Sequence, residues 1–107
     1  LTEGLRKLDP DSRAKMPGER ALWLYKRGAA RVLQQRTADA QRDLEAALKN
    51  GPLGWVRGRI TLELGKAAEL DGDRPKAIGL YNQAAGICRA ERDAACEQEA
   101  ARGAGSG

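Results

Sequence analysis

The sequence predicts an all-α chain of about five helices, folded as antiparallel hairpins that stack on one another. Three observations carry this. Ala, Leu, Arg, Glu, Lys and Gln dominate, and these are the strongest helix formers. Strand formers are scarce, with no Phe and few Val, Ile and Thr. A spaced pattern of small and large residues occurs twice: Gly28, Ala40, Leu44 and Ala47 are matched 37 residues later by Gly65, Ala77, Tyr81 and Ala84. Periods of this length mark stacked supersecondary units.

The elements follow in order. Leu1, Leu5 and Leu8 share one helical face, so residues 1–8 read as the end of a helix. Asp9-Pro10 stops it, because a residue before proline disfavours helix, and the stretch to Gly18 is a loop. The first full helix spans roughly 17–35, with Pro17 suited to its first turn. Its apolar residues form two adjacent stripes, Ala21-Leu24-Gly28-Val32 and Leu22-Tyr25-Ala29-Leu33, a face wide enough to touch two neighbours. Thr37 is the candidate N-cap of a second helix over about 38–49, ended by Asn50-Gly51-Pro52. A third helix covers about 53–70, with Thr61, Leu64, Gly65 and Ala68 inward. Asp71-Gly72-Asp73 is a turn whose second aspartate can cap a fourth helix running to about Ala90. Pro75 falls in its first turn, and Ala77, Tyr81, Ala84 and Ile87 face inward. Asp93 can cap a last helix over about 94–102. Loops this short imply antiparallel neighbours.

One domain of 107 residues is implied: a partial helix and loop over 1–16, a first repeat over 17–54, a second over 55–91, a capping or half-hairpin helix over 92–102, and a flexible tail over 103–107. The chain begins with Leu, so either a leading segment was removed or this is a piece of something longer. No run reaches the ~20 apolar residues of a membrane helix.

Composition also narrows function. The chain has no histidine, which removes the usual general base and the commonest metal ligand. No catalytic residues, cofactor or metal site are expected, and two cysteines without His are too few for a structural zinc site. The net charge is +4, with both signs interspersed along the helices. That reads as a solvated surface and disfavours nucleic acid, although Arg57, Arg59 and Lys66 would carry such binding. Cys88 and Cys96 are eight residues apart across the last turn. They form either a disulfide, which implies an extracytoplasmic setting, or two reduced small apolar residues in a cytoplasmic protein. Trp23 and Trp55 stand at or just before the first helix of each repeat, as partly buried packing residues or as interface anchors beside Arg57 and Arg59.

The shared pattern of small residues resembles the tetratricopeptide repeat family, whose unit is a helix-turn-helix of 34 residues. The first copy matches at Leu24, Gly28, Ala40, Leu44, Ala47 and the terminal Pro52; the second at Leu64, Gly65, Ala77, Tyr81 and Ala84. The sequence departs where Arg27 replaces a leucine, where Arg31 and Ala68 replace an aromatic, and where Arg89 replaces the proline. The resemblance implies an α-solenoid in which Gly28 and Gly65, with Ala40 and Ala77, allow close helix approach, and Leu44 and Tyr81 fill the space between hairpins. It implies a non-enzymatic protein-interaction module. The first helix of each hairpin would line a concave groove, placing Leu22, Tyr25, Ala29, Leu33, Arg59, Leu62, Lys66 and Glu69 against a peptide or an acidic amphipathic helix. The asparagine that some family members use to clamp a terminal carboxylate is absent, with Ala29 and Lys66 on that line. The half-hairpins at both ends suggest a rival reading, a structural subunit stacking head to tail into a filament.

Overall fold

The computed structural model describes residues 19–50 and 54–105. They form five helices: α1 (Glu19–Leu33), α2 (Thr37–Lys49), α3 (Gly54–Leu70), α4 (Arg74–Ala90) and α5 (Ala94–Gly105). No strand occurs among the described residues. The helix and loop expected before Glu19 lie outside them, as do Gly51, Pro52 and the Trp55 side chain.

Three turns of three residues share one design. The middle residue is left-handed: φ is 60° at Gln35, 82° at Gly72 and 60° at Arg92. In each, the next amide reaches back five residues, Arg36 to Arg31 O (2.9 Å), Asp73 to Ala68 O (3.0 Å) and Asp93 to Cys88 O (2.8 Å). These bonds satisfy the carbonyls that a helix end leaves open. Asp73 and Asp93 then cap the next helix as the sequence predicts, accepting from the amides of Lys76 and Cys96 at 3.2 and 3.3 Å. The first turn differs. Arg36 takes the cap position with no side-chain bond, and Thr37 is already helical. The Thr37 hydroxyl instead donates to Asp71, joined by Gln41 at 3.3 Å, so this edge of α2 ties the first hairpin to the second turn. Only glycine adopts the left-handed state without steric penalty. Gln35→Gly and Arg92→Gly are therefore each expected to raise the unfolding free energy by up to about 1 kcal/mol in urea titrations. A loss of stability would contradict this account of the turns.

The helices contact in a simple order. Each packs on the next in sequence, α1 also touches α3, and α3 also touches α5. The odd-numbered helices thus lie side by side in a row, and the packing is compatible with a solenoid. Two cores share α3. Val56, Ile60, Leu64 and Ala67 close one with Leu24, Val32, Ala40, Leu44 and Ala47. Leu62 and Ala68 close the other with Ala77, Tyr81, Ala84, Cys88, Cys96 and Ala100. Leu44, Ile60 and Leu62 are fully buried, each stabilising by roughly 2 kcal/mol. The inner line of α4 ends at buried Cys88; Ile87, expected there, is half-buried.

The repeated glycines serve this packing in a way the sequence reading placed one turn off. Ala40 and Ala77 are fully buried, but the close partner of each glycine is the large residue one turn later. A Cβ on Gly28 would stand 2.7 Å from Leu44 Cγ, and one on Gly65 would stand 2.8 Å from ring carbons of Tyr81. Leu44 and Tyr81 therefore sit on the glycines of their own hairpin. Tyr81 has a second seat: a Cβ on Gly103 would lie 2.7 Å from the opposite edge of its ring. Residues 103–105, expected in a flexible tail, belong to α5, and the ring packs against the first of them, Gly103.

The two arginine departures on α1 are compensated together. Arg27 clasps Asp43 through Nε and Nη2 (2.9 and 2.7 Å), and Arg31 reaches the same carboxylate at 2.8 Å. Asp43 is 5% exposed, which its two guanidinium partners make tolerable.

Candidate docking face on the odd-numbered helices

α1, α3 and α5 present Tyr25 and Ala29, then Arg59, Glu63 and Lys66, then Glu99, with Asp93 from the turn before α5. The polar groups are linked across the helices. Arg59 makes a two-point pair with Asp93, both contacts 2.7 Å. Lys66 Nζ bridges Glu63 at 3.1 Å and Glu99 at 2.7 Å. Burial pushes the Glu63 carboxyl above its usual range, against the pull of Lys66. Burial also pulls the Lys66 ammonium down, but its contacts with Glu99 and Glu63 outweigh this and hold it above an ordinary lysine. Asp93 is held low by Arg59. Tyr25, half-buried beside this network, is raised by burial and then by Glu63. Lys66 and Arg59 are therefore charged and already engaged. An acidic partner at these residues would have to displace Glu99 or Asp93, so this part of the face does not offer the free cations that the sequence suggested.

Besides Arg59 and Lys66, the predicted groove residues fall into three groups. Leu22, Tyr25 and Ala29 are half-buried, with Leu22 and Tyr25 packed on the first core. Leu62 is 2% exposed and lies in the core shared with α5, so it is not on the surface. Leu62 shares that core with Cys96 and Ala100 of α5, a helix that the expected groove, drawn from α1 and α3, did not take in. Leu33 is 87% exposed, and Glu69 is exposed while accepting from the Tyr81 hydroxyl (2.6 Å) and Arg74 (3.0 Å).

Leu33 marks a cleft of about 330 Å³ between the ends of α1 and α3. Val32, Leu33 and Gln35 line one side, Lys66, Glu69 and Leu70 the other, and Tyr81 is also part of the lining. Leu70 was absent from the predicted groove. It is the last residue of α3 as Leu33 is of α1, and it stands 37 residues on, in the same register as the glycines. That register is the signal that could have found it. Both leucines are exposed, Leu70 at 48%.

Cys88 and Cys96 form a disulfide with Cα atoms 5.8 Å apart, pinning the start of α5 to the end of α4. With Asp93 they are a group of metal-ligating type, ligand atoms within 4.8 Å, but both sulfurs are committed to each other. No helix among the described residues is long and apolar enough to cross a membrane. The face holds apolar surface and paired charges. Comparison of the chain with family models, curated proteins and solved structures returned no match.

Proposed function

We propose that the chain is a non-enzymatic protein-interaction module, a solenoid of tetratricopeptide-like hairpins that takes a peptide or partner helix at the cleft between α1 and α3. One observation carries this reading. The repeat preserves an exposed leucine at the end of the first helix of each hairpin, Leu33 and Leu70, flanking one cleft. Packing does not need two such residues in water, and a partner with apolar anchors would bury both. The disulfide supports placing the module in an oxidising, extracytoplasmic setting.

The test is selection of peptides from a displayed library on the full chain, followed by titration of the winners against Leu33→Glu/Leu70→Glu. Both positions are exposed, so the variant is expected to keep its circular dichroism spectrum and melting curve. Binding is expected to weaken by at least about ten-fold, the range in which buried interface anchors act. Peptides that bind the variant as well as the parent would refute the cleft as the docking site.

A further inference from the structure

Four arginines of the first hairpin gather around two carboxylates of α2. Asp43 takes Arg27 and Arg31 as described, and one turn earlier Asp39 takes Arg36 at 2.6 Å and Arg42 at 2.7 Å. The groups form one electrostatic cluster: the bond from Arg36, then the fields of Arg42 and Arg31, hold Asp39 below the usual carboxylate range. Asp39 and Asp43 lie on the opposite side of α2 from Thr37 and Gln41, which reach Asp71. The cluster therefore faces away from the second hairpin. Trp23 stands beside it, 40% exposed, with the Arg27 guanidinium 4.4 Å from its ring centre.

Four cations against two anions leave a local surplus of two. Among the described residues the imbalance lies in this hairpin: residues 19–50 hold seven Lys and Arg against four Asp and Glu, whereas residues 54–105 hold eight of each. The aspartates also hold the guanidinium forks in place, so less side-chain freedom is lost on binding. Donors remain. Arg31 uses only Nη1 on its carboxylate, and Arg36 and Arg42 use only Nη2.

We infer that this side of the first hairpin is a second docking surface, separate from the cleft, and that it takes an acidic segment of a partner protein. Carboxylates of the partner would join Asp39 and Asp43 between the guanidiniums, with an apolar side chain against Trp23. Arg and Trp are the residue types that carry binding energy at protein interfaces. The native occupants of the forks are carboxylates one helical turn apart, and a segment with Asp or Glu at that spacing continues the alternation of charge. Single-stranded nucleic acid fits less well, because it stacks bases on open aromatic faces and Arg27 already covers one face of Trp23.

Fluorescence anisotropy with the full chain tests this. The probes are a labelled helical peptide with Glu at one-turn spacing and a central Leu, its Gln counterpart, and a single-stranded oligonucleotide of equal charge. The acidic peptide is expected to bind at low ionic strength and to weaken as salt rises, and the Gln peptide is expected not to bind. Arg36→Glu/Arg42→Glu is expected to raise the Kd by at least about ten-fold, as loss of close charge pairs does. Arg92→Glu, an exposed cation elsewhere, and the charge-neutral Leu33→Ser/Leu70→Ser are expected to leave it unchanged. The inference is overturned if the acidic peptide does not bind, if the oligonucleotide binds more tightly, or if Arg92→Glu weakens binding equally. It is also overturned, as a separate surface, if the leucine variant abolishes binding.

Discussion

Replacing Cys88 and Cys96 by serine together is expected to lower the unfolding free energy by about 2.5 kcal/mol, from the entropy of a closed loop this short. For a domain of this size that corresponds to a fall in melting temperature of about 10–20 °C. The two cysteines are 1% and 0% exposed, so the serine hydroxyls would also be buried where sulfur packed. The effect should be local first. α5 is held to α4 by this bond, to α3 by Lys66–Glu99 and Arg59–Asp93, and by Tyr81 against Gly103. Amide exchange in the variant is expected to accelerate in α5 before α1 and α2 respond. Thermal melts by circular dichroism check the magnitude, and coincident melts would contradict it.

Alanine at Gly65 is expected to destabilise by about 1–3 kcal/mol, because its Cβ would press on a buried ring that cannot turn aside. Tyr81 is fixed on both edges, by Gly65 and by Gly103, and at its hydroxyl by Glu69. Gly58→Ala belongs to the same class, since its Cβ would meet Cys88 Sγ inside the disulfide. The opposite sign is expected on the outer side of α4. Gly79 and Gly86 are exposed with nothing near a Cβ, so alanine there is expected to stabilise by about 0.5–1 kcal/mol through helix propensity alone. Urea unfolding of the set separates packing from propensity. Uniform stabilisation by all four alanines would contradict the close contacts.

Much of this fold is legible in the sequence because its determinants are local or periodic. The turns announce themselves in Asp71-Gly72-Asp73 and in Asp93, and the pairing of glycine with a bulky residue recurs at a fixed interval. What was not legible involves partners far along the chain. Arg27 and Arg31 look like breaks in an apolar face, and Asp43, sixteen and twelve residues away, resolves them only when α2 folds back. Leu62 shares helical spacing with Arg59 and Lys66 and so reads as surface, until α5 extends the row over it. Gly103 and Gly105 carry poor helix propensity, and contact with Tyr81 offsets it at Gly103. Thr37 has the composition of a cap but stands one residue inside the helix, where its hydroxyl finds Asp71. Leu70 is readable from the period, since it repeats Leu33 at the interval that relates the two glycines.

The row of odd-numbered helices, and the cleft upon it, depends on large side chains of the even helices seating on glycine. The most direct measurement is the effect of Gly28→Ala in two backgrounds, the parent chain and Leu44→Ala, by urea unfolding. With Leu44 present the added methyl meets its Cγ and Cδ2 and should destabilise; with Leu44 truncated the same methyl enters vacated space and should stabilise. An unchanged effect in the two backgrounds would contradict the seat, and with it the packing on which the cleft rests.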